Sequence, residues 1–155
     1  MHFIVVTPQD TQLIEQISSA LHHEWRHLPP WENISAIRMR LIERCSHDNP
    51  QILSCYADKN GNLLATASTI LHELTGVHQA TWWLGEVLTV PEARGHKMGS
   101  KLIEELYNYY HNLIGQSLYL YTPDMQQLYR RMGWKDVEER IVNHEQVTVM
   151  KRKSP

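Results

Sequence analysis

Along the chain the spacing of hydrophobic positions changes several times, and each change marks an element. Residues 3–7 are β-rich and end at Pro8, which reads as a short first strand. Leu13, Ile14, Ile17 and Leu21 then recur at helical spacing behind Asp10 or Thr11, either of which can cap the start. Leu28-Pro29-Pro30-Trp31 breaks that helix, because proline has no N–H to continue the ladder. A second helix is expected after Asn33, with Ile34, Ile37, Leu41 and Ile42 on one face, stopping at His47-Asp48-Asn49-Pro50.

The pattern then turns to strands. Residues 52–57 and 63–70 flank Asp58-Lys59-Asn60-Gly61, a hairpin turn built from residues that tolerate positive φ. Residues 82–90 form a long apolar strand ended by Pro91. Residues 98–113 read as a helix, with Leu102, Ile103 and Leu106 inward and Gly115 placed as its C-cap. A short strand at 118–121 leads to a helix at 124–132, with Pro123 at its first turn and Gly133 at its end. Residues 134–140 and 146–150 read as a closing antiparallel pair. The predicted order is β-α-α-β-β-β-α-β-α-β-β, without internal repeat, low-complexity stretch or linker. One mixed α/β domain spanning 1–155 is therefore expected.

Composition removes several function classes. Hydrophobic residues make up 42% of the chain and charged residues 21%, the balance of a soluble globular protein. A net charge of -2 argues against a general polyanion binder, so no nucleic-acid partner is expected. Lys151-Arg152-Lys153 reads as a solvated tail. No apolar run approaches the roughly 20 residues of a membrane span, so no membrane partner is expected. The first six residues lack the basic and apolar regions of a signal peptide. Cys45 and Cys55 form no CxxC pattern and read as reduced thiols, which makes the cytoplasm the expected compartment. His23-Glu24-Trp25-Arg26-His27 has the spacing of a zinc-protease helix. Pro29-Pro30 ends that helix at once and no third ligand follows, so no metal site is expected.

Residues 87–100 carry the most chemistry. A strand runs into a turn with two glycines, and a helix starts directly after it. The orphan N–H groups and partial positive charge of a helix start suit a phosphate. Arg94 and Lys97 add cationic donors, and Gly95 and Gly99 let backbone approach a ligand closely. On spacing alone, an ordinary strand-to-helix turn accounts for the stretch equally well.

Arg94-Gly95-His96-Lys97-Met98-Gly99 resembles the pyrophosphate loop of the GNAT N-acetyltransferase superfamily, Gln/Arg-x-x-Gly-x-Gly/Ala. The first and last fixed positions match; Lys97 stands where the middle glycine would be, and a lysine there could reach a phosphate instead. Downstream, Gln127-Leu128-Tyr129-Arg130-Arg131-Met132-Gly133-Trp134 is similar to the superfamily's later motif, a tyrosine followed by glycine and an aromatic. Val147-Thr148-Val149-Met150 resembles its last strand. Trp83-Leu84 and Leu118-Tyr119-Leu120-Tyr121-Thr122-Pro123 resemble a bacterial subgroup of small members.

The resemblance implies a central, mostly antiparallel sheet of six to seven strands flanked by about four helices. It implies direct attack of a primary amine, on a small molecule or a protein, on the thioester of acetyl-CoA, without a metal. The backbone of Val87, Leu88 and Thr89 would pair with the pantetheine amides. Arg94, Gly95, His96, Lys97, Met98, Gly99 and Ser100 would hold the pyrophosphate. Tyr129 is expected to hand its proton to the departing thiolate: a phenol, pKa about 10, is protonated at neutral pH, and a thiol sits nearer 8.5. Glu86 is the first choice of base, with His72 and Glu73 as alternatives. The first two helices would shape the acceptor pocket, and Trp25, Trp31, Trp82 and Trp83 read either as its lining or as core. Lys97 keeps a non-catalytic acyl-CoA-binding module open as the rival reading. The acceptor would be chosen by loops before residue 50 and by residues 73–80, where no motif stands. Small members of the fold often dimerise, which makes a homodimer possible.

Overall fold

A computed structural model describes residues 2–77 and 80–153. The element order is the expected one: β1 (His2–Val5), α1 (Thr11–Trp25), α2 (Ile34–Arg44), β2 (Ile52–Ala57), β3 (Leu63–Leu71), β4 (Trp82–Thr89), α3 (Met98–Leu113), β5 (Leu118–Thr122), α4 (Gln126–Arg131), β6 (Lys135–Val142) and β7 (Glu145–Arg152). The strands form one seven-stranded sheet in the order β1-β2-β3-β4-β5-β7-β6. Every neighbouring pair is antiparallel except β4 with β5. This is the mixed α/β architecture with a mostly antiparallel sheet that the resemblance implied.

Both faces of the sheet are covered, and the apolar periodicities decide by what. On one face α3 buries Leu102, Ile103, Leu106 and Tyr110 against Ala65, Ala67, Trp82, Leu84, Leu118 and Met150. On the other, α1 and α2 bury Ile14, Ile17, Leu21, Ile37 and Leu41 against Leu53, Cys55, Leu63 and Leu88. A fully buried aliphatic side chain contributes about 1.5–3 kcal/mol, so these two layers are the main source of stability. Trp83, Tyr119 and Val149 form a third, smaller cluster with Val77 of the β3–β4 connection.

Local details depart from expectation in four places. Lys151 and Arg152, expected in a solvated tail, belong to β7, and Arg152 donates to Glu104 at 2.7 Å. Ile42 does not share the inner face of α2; it is 40% exposed, because the helix turns it past the sheet. Asp10 precedes α1 without capping it; its carboxylate instead accepts the N–H of Thr7 at 2.8 Å. The last helix starts at Gln126, two residues later than expected, since the hydroxyl of Thr122 accepts the Met125 N–H at 3.0 Å and stretches the entry. Gly115 is left-handed, φ 73°, directly after the C-cap of α3, as its C-cap role required.

Candidate active site

The site begins with an irregularity in β4. Its register against β3 pairs Leu88 with Thr66 and Gly85 with Ser68. Ala67 therefore faces two residues, Glu86 and Val87, which is a β-bulge. Glu86 is left-handed, φ 53°, a backbone that bulges usually give to glycine. The extra residue shifts the side-chain alternation. Trp82, Leu84 and Val87 face α3, whereas Trp83 and Leu88 face the other layer.

Beside the bulge, β4 and β5 part. Their parallel ladder holds only at Trp82–Leu118 and Trp83–Tyr119, although β4 continues to Thr89 and β5 to Thr122. The β5-facing edge of β4 beyond Trp83 is thus left without a strand partner in the sheet. Val87, Leu88 and Thr89 lie on this stretch, and all three line the resulting cleft of about 730 Å³.

At one end of the cleft stands the start of α3. Lys97 is its N-cap residue and offers no side-chain cap. The first intrahelical bond runs from the Lys101 N–H to the Lys97 carbonyl, so the amides of Met98, Gly99 and Ser100 have no partner within the helix. These amides and the helix's partial positive charge form an anion cradle. Gly95 and Lys97 are both left-handed, φ 86° and 60°. The family places glycine at the Lys97 position, and this backbone supplies a reason: a β-carbon is strained there by about 1–2 kcal/mol. Lys97 adopts the conformation regardless and keeps its charge at the mouth of the cleft. A β-carbon on Gly99 would lie 3.1 Å from the Thr89 hydroxyl, so the loop's last position must stay small for α3 to abut β4.

Arg94 is not aimed at the cradle. Its Nε donates to the Thr89 carbonyl at 3.0 Å, and a terminal nitrogen meets Glu24 at 3.3 Å. His96 is exposed in the same turn. Tyr129 lies on the cleft wall, 8% exposed, with its ring edge-on to Trp134 at 6.0 Å. Burial, with a smaller contribution from Asp124, pushes its phenol up to about 12. The phenol therefore holds its proton at neutral pH and is available as a donor.

The carboxylates gather on the α1–α2 side. Glu86 lines the cleft, but its carboxylate is held in a buried ion pair by both terminal nitrogens of Arg44. It is not the free base that the sequence suggested. Glu73, just past β3, is the other carboxylate at this point and also lines the cleft. Burial raises its proton affinity above the ordinary carboxylate range, the negative charge of Glu86 adds to this, and Arg44 and Arg40 oppose it. Tyr121 is raised to about 12, by burial and then by Glu73, Glu86 and Glu145 together. His72 is exposed. Trp25 and Trp31 pack with their rings tilted, centroids 5.2 Å apart, and line the cleft, whereas Trp82 and Trp83 are core residues. Among the described residues no group of three or more His, Cys, Asp or Glu could hold a metal, and no helix is long and apolar enough to cross a membrane.

A sheet parted to admit an extended carrier, with an anion cradle at one end and carboxylates at the other, defines an acyltransferase site. The sequence model of the acetyltransferase (GNAT) family matches residues 12–134, and the chain belongs to that family. It is an N-acetyltransferase with acetyl-CoA as its acetyl donor. No curated protein matches the sequence. Similar solved structures include an aminoglycoside 6'-N-acetyltransferase in complex with coenzyme A: 16% identity, 100% of this chain and 98% of that chain, TM-score 0.79. The aminoglycoside 6'-N-acetyltransferase from Enterococcus faecium is 18% identical, covers 100% and 98%, and has TM-score 0.76. Spermidine N-acetyltransferase from Vibrio cholerae, in complex with CoA and spermine, is 16% identical, covers 99% and 95%, and has TM-score 0.72. At these identities the likeness is one of fold.

Proposed function

We propose that the acceptor is a small, positively charged primary amine, and that Glu73 and Tyr129 serve the transfer. The supporting observation is the polarity of the cleft. Lys97 and the free amides of α3 stand at one end, and Glu73, Tyr121 and Glu145 stand at the other. An ammonium ion entering by Glu73 must lose a proton before its nitrogen can attack. Glu73, or a water that it orients, takes that proton. The nitrogen then bonds to the thioester carbon, the C–S bond breaks with its electron pair leaving on sulfur, and the second proton of the attacking nitrogen passes to the departing thiolate, giving the amide and the free thiol. Tyr129 supports the departing thiolate through a hydrogen bond, as a donor aimed at developing charge. The backbone edge at Val87, Leu88 and Thr89 aligns the pantetheine, and Lys97 with the amides of Met98, Gly99 and Ser100 holds the pyrophosphate.

The left-handed Lys97 also bears on the rival reading, a module that holds acyl-CoA without turnover. That reading rested on the lost glycine, and the loop keeps the glycine-like backbone without it. The fold relatives act on aminoglycosides and on spermidine, both amines, which agrees with a cationic acceptor. Thiol release from acetyl-CoA should be measured across polyamines, aminoglycosides, amino acids and peptides. Turnover confined to cationic small molecules is the expected result. Turnover of peptides alone would overturn the acceptor reading, and tight acetyl-CoA binding with no turnover on any amine would favour the module.

A further inference from the structure

Arg44 belongs to no motif, yet it grips a residue that lines the cleft. It closes α2, and its side chain is 5% exposed. Both terminal nitrogens meet the Glu86 carboxylate, one of them at 3.2 Å, and one also reaches the Ser68 hydroxyl at 3.5 Å. Ser68 is the β3 residue opposite Gly85, immediately before the bulge. Arg44 therefore ties the bulged residue of β4 to the strand beside it. Its Nε is buried without a partner, a cost this side chain bears only where it is.

The alternation along β4 shows what the tie does. An unbulged strand would send Glu86 and Leu88 to the same face as Trp82 and Leu84, which is the apolar α3 face. Instead the left-handed backbone at Glu86 absorbs one residue, and Leu88 packs with α1 and α2. Beyond this point β4 has left β5, and the edge opens that the pantetheine needs. Glutamate has no intrinsic preference for a left-handed backbone, so something outside the strand must hold it there.

We infer that Arg44 is a positioning residue: by clamping Glu86 in the β4 bulge, it keeps β4 and β5 apart and the cofactor edge open. The assignment rests on the reading of that edge as the cofactor's, and its readout is affinity for coenzyme A, measured by calorimetry. Arg44→Met should weaken binding about tenfold or more, within the range of one site acting on another through a two-state element. Arg44→Met with Glu86→Gly removes the clamp but gives the bulge a residue at ease in the left-handed region; binding should return to near the wild-type value. Arg44→Met with Glu86→Leu removes the same buried charges and restores folding stability. Leucine does not favour the left-handed backbone, so binding should stay weak. The two double variants keep the test decisive even where Arg44→Met alone folds poorly. Wild-type affinity in Arg44→Met, a glycine variant that stays weak, or a leucine variant that recovers as fully as glycine would each overturn the role of Arg44. A wild-type chain that does not bind coenzyme A overturns the cofactor edge itself, and the role of Arg44 with it.

Discussion

In the proposed transfer Tyr129 and Glu73 do opposite work, and burial tunes both. A phenol raised to about 12 keeps its proton across the physiological range and so meets a sulfur anion as a donor. Tyr129→Phe should lower kcat about 100-fold, the loss of one well-placed donor, and change coenzyme A affinity less than about twofold. An unchanged kcat removes Tyr129 from the chemistry. Glu73 must be deprotonated to act, and its raised proton affinity puts the acidic limb of kcat/KM above the ordinary carboxylate range. Glu73→Gln should abolish that limb together with most of kcat. Stability should respond in the sense that linkage dictates. Folding favours protonated Glu73, so its contribution is present in acid and is lost as pH rises through the folded value. Glu73→Gln should therefore raise Tm at neutral pH and leave it unchanged in acid; melting curves at two pH values decide this. Lys97→Gly exchanges left-handed strain for chain entropy, two effects of about 1 kcal/mol each, so Tm should hold. One cation leaves the phosphate cradle, and coenzyme A affinity should fall about threefold at low salt, a difference that added salt closes.

At the scale of elements, much of the fold was legible because each helix and strand agrees with its own periodicity. Leu13, Ile14, Ile17 and Leu21 face the sheet from α1 as their spacing requires, and Leu102, Ile103 and Leu106 do so from α3. The phosphate turn was legible for a different reason: glycine at positive φ and a helix start leave a local mark. What stayed hidden is non-local. The apolar run 82–90 reads as one unbroken strand, and nothing in it shows that Glu86 turns left-handed, because the cause is a side chain 42 residues away. Arg44 itself reads as the polar end of an amphipathic helix. Glu86 reads from the sequence as a candidate base on the central strand, and its partner Arg44 leaves no mark there. The junction between β4 and α3 depends on one further contact. A β-carbon on Gly99 crowds the Thr89 hydroxyl, and a branched side chain adds bulk at the same point. Gly99→Val should cost about 1–3 kcal/mol by overpacking and, by moving the free amides of α3, lower coenzyme A affinity more than Lys97→Gly does. Gly99→Ala, which adds only the β-carbon, should retain most of the binding.

Across the whole molecule the cleft is the place where the two layers of the fold meet. Its walls come from α1, β4, the phosphate turn, β5, α4 and the β6–β7 hairpin. A ligand seated there touches the layer that α3 builds and the layer that α1 and α2 build, so occupancy should be felt as global stability rather than local order. A cofactor at 100 times its Kd adds about 2.7 kcal/mol to the native state, and a domain of this size gains about 2–4 °C in Tm for each kcal/mol. Saturating coenzyme A should thus raise Tm by about 5–11 °C, with a single transition in both states. The same measurement separates the edge from the cradle. Adenosine 3',5'-bisphosphate lacks the pantetheine arm and should protect little if the free edge of β4 carries the affinity. A dephosphorylated pantetheine should protect little if the α3 amides carry it. Protection by coenzyme A well beyond the sum of the two fragments is the expected outcome, because the parted strands and the helix start are held in one rigid frame and the intact cofactor meets both at once. Protection by one fragment alone that equals that of intact coenzyme A would mean that the cleft binds by only that end.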